Sequence, residues 1–333
     1  MKRKISLILA LAMVLLTFAA CGGGTAPSSA PDSSAPESSG GSTDWPTKPI
    51  TIIVPAGAGG DTDLNARVFA KYLQEELGQT VVISNIKGIS VAFQEIKNAS
   101  PDGYTAGVYH PGFFVSSALG TVDVAYTDFA VTNVYAIDKQ SAWFVSKDAE
   151  FQTLDDLAAA SKSEPIGFAT EVGSMSHLTE LLFMQLVEGS QFNIVDAGGS
   201  ADKITALMSG QLDLMFNQVG LVKDYLKNGD FVCLGIMAEE RSEANPDIPT
   251  FKEQGYDIVF DKPYWLFFPA ETDQAIVDKM NTAIEAVCQN PDYAAELLDT
   301  MQTVPGDMNH DEAMEYLGEI NTMYADLLAS MQG

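Results

Sequence analysis

The order of patterns along the chain predicts an α/β fold in which parallel sheets are covered by helices. Apolar runs such as "ITIIV" (residues 50–54) read as strands, and stretches such as residues 62–77 carry apolar side chains at helical spacing. Alternation of strands with helices is typical of parallel sheets that are flanked by helices. About 290 residues follow Trp45, which is enough for one large or two modest domains.

Local signals mark where several elements begin and end. Gly78 ends the first helix, Thr153 and Asp156 have the spacing of a helix-capping box, and "PDGY" (residues 101–104) is a turn. In order, the predicted elements are strand 50–54, helix 62–77, strand 80–84, helix 91–99, strand 105–109, helix 153–161, strand 165–170, helix 176–188, strand 192–195, helix 201–208, strand 211–216, strand 232–238, strand 263–268, helix 273–289 and helix 311–331.

The N-terminus has the pattern of an exported protein. Residues 1–20 form a predicted signal peptide, with a basic start and an apolar core too short for a comfortable membrane span. "FAAC" resembles the bacterial lipobox, which predicts a lipid on Cys21; ordinary secretion with cleavage near Ala20 is the alternative. Residues 21–44 are almost wholly Gly, Ser, Pro and Ala and predict a disordered tether. We therefore expect an extracytoplasmic protein whose only contact with the membrane is a lipid anchor.

The net charge of −27 excludes several partners. Such an acidic surface repels nucleic acid and anionic headgroups, and no basic patch offsets it. Cys233 and Cys288 lie in apolar segments at a spacing that forms no disulfide framework. Two buried free thiols are favoured over a disulfide.

Three loops each join a predicted strand to a predicted helix. They are "VPAGAGGDTD" (residues 54–63), "ATEVGSMSH" (169–177) and "DAGGSADK" (196–203). Helix N-termini attract anions, and such loops meet in a crevice beyond the carboxyl ends of the strands. The alternative is that these residues only start helices, because Gly and Ser are common there.

The same loops do not match the motifs of nucleotide binding or catalysis. Thr62 occupies the position of the third Gly of a dinucleotide loop, a P-loop Lys is absent, and Asp61 and Asp63 would repel a phosphate. His110, His177 and His310 have no metal-ligand spacing. His177 could assist Ser174 or Ser176 as a nucleophile, although "GSMSH" lacks the elbow motif. We expect no metal, no cofactor and no catalysis; His110 either faces the crevice or packs beside it.

Taken together, the segments resemble the substrate-binding proteins of tripartite tricarboxylate transporters. The similarity begins with "WPTKPITIIVPAGAGGDTDLNARVFAKYLQEELGQTVVISN" and continues through "SPDGYT", "VGSMSHL", "GGSADKITALMSGQLDLMF", "IPTFKEQGYD" and "FPAETDQAIVDKMNTAI" in the family's order. It covers residues 45 to about 329. The resemblance implies a two-lobed, periplasmic-binding-protein-like fold in which each lobe is a mostly parallel sheet flanked by helices and the ligand cleft lies between the lobes.

The resemblance also implies a domain division, a site and partners. Lobe 1 would comprise residues 45–137 and 262–333, and lobe 2 residues 138–261. A monomer would bind a small organic acid through loop N–H groups and hydroxyls, and deliver it to membrane permease subunits. The implied ligand-binding residues are Ala56, Gly57, Ala58, Gly59, Gly60, Asp61, Thr62, Thr170, Gly173, Ser174, Ser176, His177, Gly198, Gly199 and Ser200.

Two residues depart from the family's pattern, and two other functions remain open. Ala56 stands where an aromatic residue is frequent, and Asp61 stands where a small hydroxyl residue is common. Asp61 either complements the start of a helix or faces the cleft, where it would favour an amine or hydroxyl on the ligand. Tyr264 and Trp265 are predicted core residues that could reach the cleft. The alternatives to transport are a receptor for a signalling partner and an enzyme on the same fold.

Overall fold

The computed structural model describes residues 44–170 and 172–332. The predicted signal peptide, Cys21 and the tether up to residue 43 lie outside these described residues, as does Glu171 in the second loop. Within the described ranges, no helix is both long and apolar enough to cross a membrane.

Strands and helices alternate through most of the described chain. The strands are β1 (Ile50–Val54), β2 (Val81–Asn85), β3 (Thr105–Tyr109), β4 (Phe129–Asp138), β5 (Ser141–Ser146), β6 (Ile166–Ala169), β7 (Phe192–Val195), β8 (Leu214–Gln218), β9 (Phe231–Ile236), β10 (Lys262–Pro269) and β11 (Val304–Pro305). The helices are α1 (Asp61–Leu77), α2 (Ile89–Lys97), α3 (Gly112–Ala118), α4 (Leu154–Ser163), α5 (Met175–Leu186), α6 (Ser200–Met208), α7 (Val219–Asn228), α8 (Gln274–Cys288), α9 (Pro291–Met301) and α10 (His310–Gln332). The elements predicted from sequence are confirmed with small shifts at their ends, whereas α3, α7, α9, β4, β5 and the two-residue β11 are additional.

The predicted helix ends have the expected local chemistry. Gly78 takes a φ of 64°, a left-handed conformation that suits glycine, and ends α1. The Thr153 side chain accepts a hydrogen bond from the Asp156 backbone N–H at 3.1 Å at the start of α4. These two signals were readable because both act within a few residues of the helix end.

The strands form two mixed sheets. The first has the order β11–β4–β10–β3–β1–β2, in which β1 pairs in parallel with β2 and β3 while β10 is antiparallel to β3 and β4. The second has the order β7–β6–β8–β5–β9, in which β6 pairs in parallel with β7 and β8 while β5 is antiparallel to β8 and β9. In each sheet, therefore, only the strands at one side are parallel, whereas the sequence predicted sheets that are mostly parallel.

The two sheets give the chain the predicted two-lobed α/β fold. Strands of the first sheet come from residues 50–138 and 262–305, and strands of the second from residues 141–236. The division into residues 45–137 with 262–333 and residues 138–261 stays a prediction. It is supported by the chain leaving the first sheet after Asp138 and re-entering it at Lys262.

An apolar core continues from one sheet to the other. Phe113 on α3, Trp143 on β5 and Tyr324 on α10 belong to one cluster of buried side chains. The Tyr324 hydroxyl lies 3.8 Å from the Met175 sulfur at the start of α5. Full burial of a large apolar side chain contributes about 1.5–3 kcal/mol, so this packing stabilises the contact between the lobes.

Both cysteines of the described chain are free thiols, as the sequence favours. Cys233 lies in β9 and Cys288 ends α8, where each is half-buried rather than fully buried. Burial raises the pKa of both thiols to about 12. They remain protonated and unreactive near neutral pH.

Glu180 on α5 makes stability depend on pH. Its side chain is 3 % exposed, and its Oε2 has no hydrogen-bond partner among the described residues. Burial raises the pKa of Glu180 from 4.5 to about 7. Because the folded state holds this proton more tightly than the unfolded state, the stability it adds is complete below about pH 4.5 and is lost as the pH rises through about 7.

We expect Glu180→Gln, which cannot ionise, to be more stable than the wild type at pH 8 by about 1–3 kcal/mol, the cost of a buried unsatisfied group. The advantage should shrink as the pH approaches 4. Urea unfolding of both proteins at a series of pH values measures this difference. A difference that stays constant across the series would contradict the assignment.

Candidate functional site

A cavity of about 260 Å³ lies among the three predicted loops. Its wall contains residues of the first sheet and its helices together with residues of the second. The predicted site residues that line it are Ala56, Gly57, Asp61, Thr62, Ser174, Ser176, Gly198, Gly199 and Ser200. The predicted site residues that do not line it are Ala58, Gly59, Gly60, Thr170, Gly173 and His177. Whether the lining residues bind a ligand stays a prediction.

Sequence reasoning missed more than half of the wall. The lining residues without a prediction are Pro55, Lys87, Gly88, Ile89, Tyr109, Met175, Asp196, Lys203, Phe216, Asn217 and Lys262. His110, for which facing the crevice was one of two alternatives, also lines the cavity. Pro55, Met175, Asp196 and Lys203 fall within the three predicted loops, and Lys87 and Gly88 follow the end of β2, which is a signal that would have found them.

The first loop is held in place by Asp63. This residue is 1 % exposed, and its carboxylate accepts hydrogen bonds from the Gly59 backbone N–H at 2.8 Å and from Asn85 Nδ2 at 2.9 Å. Arg67 Nε lies 3.0 Å from the same carboxylate and forms an i,i+4 ion pair with it on α1. Burial acts to raise the pKa of Asp63, but the bonds from Arg67, Gly59 and Asn85 outweigh it and lower that pKa.

The second loop carries a cluster of hydroxyl groups that bond to one another. The Ser176 oxygen lies 2.8 Å from the hydroxyls of both Thr170 and Ser174, and 3.4 Å from Lys203 Nζ. Ser174 also caps α5, because its oxygen accepts from the His177 backbone N–H at 3.3 Å. Ser174, Ser176 and Lys203 therefore present a set of hydrogen-bond donors to the cavity at the positive end of a helix.

Several backbone N–H groups that were predicted to grip a ligand donate to the chain's own side chains. Gly198 N donates to Asp196 Oδ1 at 3.0 Å, and Gly199 N donates to Asp202 Oδ2 at 3.2 Å. Gly173 N donates to His177 Nδ1 at 3.3 Å. With Gly59 N bound to Asp63, these donors shape the loops instead of facing the cavity. The cavity wall also carries side-chain donors, namely the hydroxyls of Ser174, Ser176 and Ser200 and the ammonium groups of Lys87, Lys203 and Lys262.

Lys262, at the start of β10, is a buried cation between two carboxylates. Its Nζ lies 2.8 Å from Asp61 Oδ2 and 3.1 Å from Asp138 Oδ2. Burial acts to lower the pKa of Lys262, but the two carboxylates outweigh it and raise that pKa, so the ammonium stays charged. The Asp138 carboxylate also accepts hydrogen bonds from Gln140 N at 2.7 Å and from Ser141 Oγ at 2.7 Å.

His110 is a neutral part of the wall. Its ring stacks on Tyr109 at 4.1 Å between centroids, and its Nδ1 accepts from the Gly112 backbone N–H at 3.1 Å. Burial and the nearby Lys262 ammonium lower the pKa of His110 to about 3. The imidazole is thus uncharged at neutral pH.

Among the described residues, no group of three or more His, Cys, Asp or Glu side chains could hold a metal ion. The His177 ring contacts Gly173 N, and no hydrogen bond in the described chain joins that ring to Ser174 or Ser176.

Tyr264 and Trp265 are fully buried in β10 as predicted, although the Tyr264 hydroxyl reaches Asp61 Oδ2 at 3.3 Å.

Comparison with known proteins identifies the class. Protein BugT of Bordetella pertussis is 29% identical over 255 residues, which make up 74% of this chain and 78% of BugT. A protein encoded in the ttuE–ttuC′ intergenic region of Agrobacterium vitis is 30% identical over 271 residues, or 78% of this chain and 77% of that protein. Both alignments span most of the described fold.

Solved structures resemble the chain over similar lengths. MatC of Rhodopseudomonas palustris with bound malate is 25% identical with a TM-score of 0.78, over 85% of this chain and 99% of that one. An R. palustris protein solved with adipate is 26% identical with a TM-score of 0.79, over 85% of this chain and 97% of that one. The two-lobed fold and the cavity between the lobes define a solute receptor of the extracytoplasmic type.

The family profile described as "Tripartite tricarboxylate transporter family receptor" matches residues 65–328. The chain belongs to this family, which confirms the resemblance seen in the sequence.

Removing the Lys262 ammonium should destabilise the fold. Lys262→Met leaves Asp61 and Asp138 as uncompensated carboxylates, and breaking a buried ion pair costs about 3–5 kcal/mol. The matched control is Lys139→Met, whose partner Asp261 lies 3.9 Å away at the surface; it should change stability by less than about 0.5 kcal/mol. Chemical denaturation measures both, and equal effects would contradict the buried-pair assignment.

Proposed function

We propose that this protein is an extracytoplasmic receptor that captures a small organic acid and delivers it to a tripartite tricarboxylate-type membrane permease. The observation that carries the proposal is the donor cluster of Ser174, Ser176 and Lys203 on the cavity wall. A carboxylate only accepts hydrogen bonds, so it needs such a cluster of donors.

Charge and helix geometry support an anionic ligand group beside α5 and α6. Ser174 caps α5, and Ser200 is the first residue of α6. The N-terminal ends of helices carry partial positive charge, worth about 0.3–1 kcal/mol for a neighbouring anion. The Lys203 ammonium adds a full positive charge on the same side of the cavity. Malate and adipate, which accompany two of the similar structures, are carboxylates of small size.

Both lobes of one chain contribute to the wall, which supports a monomer that closes around its ligand. Ser200 Oγ reaches Asp61 Oδ1 at 3.4 Å, and Ser116 Oγ donates to the Gly173 carbonyl at 2.7 Å. These bonds join α1 to α6 and α3 to the second loop. A ligand held by both lobes would bind only the folded, closed protein.

A panel of mono-, di- and tricarboxylates and amino acids tests the proposal by thermal shift. A ligand at one hundred times its dissociation constant stabilises the folded state by about 2.7 kcal/mol, so at least one carboxylate should raise the melting temperature clearly. Ser174→Ala should weaken the best ligand by about 1.5–3 kcal/mol, the value of a hydrogen bond to a charged group.

The matched control for Ser174→Ala is Thr153→Ala. Both variants lose a helix N-cap, worth about 1 kcal/mol of stability, but Thr153 caps α4 and does not line the cavity. The control should keep the wild-type affinity. Nucleotides that shift the melting temperature while every carboxylate fails would overturn the proposed function.

We also propose that a lipid on Cys21 anchors the protein to the membrane. The support is sequence alone: the "FAAC" segment and the Gly/Ser/Pro-rich residues 21–44, which would connect the anchor to the folded domain. A receptor tethered in this way would remain close to its permease.

Cys21→Ala should release the protein from the membrane fraction of the bacterium that expresses it. The reason is that the lipid requires the Cys21 thiol, and among the described residues no helix could cross the membrane in its place. Fractionation followed by immunoblotting measures the distribution, with Cys233→Ala as the control that should stay with the membrane. Equal solubility of wild type and Cys21→Ala would rule out the anchor.

A further inference from the structure

A second groove, with a volume of about 970 Å³, lies apart from the candidate cavity and shares no lining residue with it. It is bounded by residues 238–244, by Leu298 on α9 and by Val304 in β11. Asp261 lines this second groove, whereas Lys262, the next residue, lines the candidate cavity. The segment that returns the chain to the first sheet therefore separates the two.

Both lobes contribute to the second groove, and hydrogen bonds hold them together there. Asn245 Nδ2 donates to Gln140 Oε1 at 2.6 Å and to Gln302 Oε1 at 2.8 Å, and Gln140 Nε2 donates to the Gln302 carbonyl at 3.0 Å. Gln302 takes a left-handed φ of 52°, which is uncommon outside glycine. Because Gln140 and Gln302 line the groove and are fixed by these bonds, this part of its wall is already formed.

The groove exposes apolar side chains. Leu298 is 49 % exposed and Val304 is 38 % exposed, and both line it together with the half-buried Val259 and Tyr316. Apolar side chains that remain open to solvent in one concave surface mark a site of interaction with another molecule.

The wall of the groove carries more negative than positive charge. Its acids are Glu239, Glu240, Glu243 and Asp261, and its bases are Lys139 and Arg241. Each base already has an acidic partner, since Arg241 Nε lies 2.9 Å from Glu253 and Lys139 Nζ lies 3.9 Å from Asp261.

The neighbours of the wall do not remove this surplus. Lys252 pairs with Glu239 from outside the groove, and Glu253 adds one negative charge in return. Four acids against two bases therefore leave a surplus of two negative charges. In the part of the chain that the structure describes, Glu240 and Glu243 have no ion-pair partner, so they carry the surplus.

Asp261 responds to this negative surrounding. Burial raises its pKa, Asp138 and Asp307 act in the same direction, and the ammonium of Lys139 offsets them only in part. A further cation in the groove would meet carboxylates that are not yet neutralised.

The sheet edge beside the groove is poorly suited to pairing with another strand. β11 is the edge strand of the first sheet and has only two residues, Val304 and Pro305. Proline has no backbone N–H to donate, so an added strand would find few partners there. An amphipathic helix needs no backbone partner, because it binds a groove through its apolar side chains.

We propose that the second groove binds a basic amphipathic helix of a partner protein. The apolar face of that helix packs on Leu298 and Val304, and its Lys or Arg side chains lie beside Glu240 and Glu243. The docking of such a helix is independent of the ligand in the candidate cavity, because the two sites share no residue.

The test uses a fluorescent helical peptide of leucine and lysine, with the leucines on one face. Two matched peptides replace either every lysine by glutamate or every leucine by serine. Fluorescence anisotropy measures binding to the full chain at physiological ionic strength, where attraction over long distances is screened. The leucine–lysine peptide should bind at least about tenfold more tightly than either matched peptide, because both apolar contact and opposite charge are required.

Two variants of the groove should weaken that binding. Leu298→Ser removes an exposed apolar contact and should cost about tenfold in affinity. The double variant Glu240→Gln with Glu243→Gln removes the surplus charge and should weaken binding by about threefold to tenfold, with a smaller dependence on salt. All three side chains are exposed, so the variants should keep the thermal stability of the wild type.

Matched controls lie outside the groove. Leu186→Ser changes a leucine that is also 49 % exposed, and Glu75→Gln with Glu76→Gln removes two exposed acids from α1. Asp196→Asn removes an acid from the candidate cavity, which would matter only if the peptide bound there. All of these controls should retain the wild-type affinity for the peptide.

Failure of the leucine–lysine peptide to bind, or binding that survives unchanged in both groove variants, would overturn the inference. Equal losses in the groove variants and in the exposed controls would show general attraction to an acidic surface and would also overturn it. A loss confined to Asp196→Asn would place the peptide in the candidate cavity and contradict the second groove. None of these results bears on the proposed function, whose carboxylate panel is measured without the peptide.

Discussion

The buried ammonium of Lys262 is the interaction on which the architecture of the cavity depends. Lys262 begins β10, where the chain returns to the first sheet, and Asp138 ends β4, where the chain leaves it. The third member, Asp61, begins α1 and borders the cavity. The Lys262 ammonium therefore links the strand end at Asp138, where the chain leaves the first sheet, to Asp61 on the cavity wall, and Lys262 itself marks the return of the chain to that sheet. Charges this deeply buried are tolerated only when they are paired and hydrogen-bonded.

The loops show how a chain without an arginine in the cavity wall can still receive an anion. Asp63, Asp196 and Asp202 accept the backbone N–H groups of neighbouring glycines and so fix the loops from within. The cavity wall also carries hydroxyl and lysine side chains as hydrogen-bond donors. The two kinds of donor differ in freedom. A backbone N–H cannot reorient once its turn has formed, whereas a hydroxyl group rotates to suit the group that it contacts.

Sequence reasoning succeeded where the signal is local. Gly78 ends α1 and Thr153 caps α4 through contacts within a few residues, and clear apolar periodicity located α1 and α5. β4 stayed hidden because nine of its ten residues are buried, so no alternation marks it. α9 starts at Pro291, which resembles a break but occupies a first-turn position.

Only those parts of the candidate site that lie in continuous loops of the sequence were predicted. The three loops were identified because strand, glycine turn and helix follow one another directly. Lys262 meets Asp61 from 201 residues away, and no spacing rule connects two charges so distant in sequence. Ser176 and Lys203 are likewise brought together by the pairing of neighbouring strands β6 and β7. Their meeting is a property of the fold.

Lys262 links the places where the chain leaves and re-enters the first sheet to the cavity wall, so the site and the fold share one ion-paired cluster. Replacing the acid at position 61 would change the charge of the cavity wall and the charge balance around the Lys262 ammonium together. The polarity of the cavity and the stability of the fold are therefore coupled through the side chains of Asp61, Asp138 and Lys262.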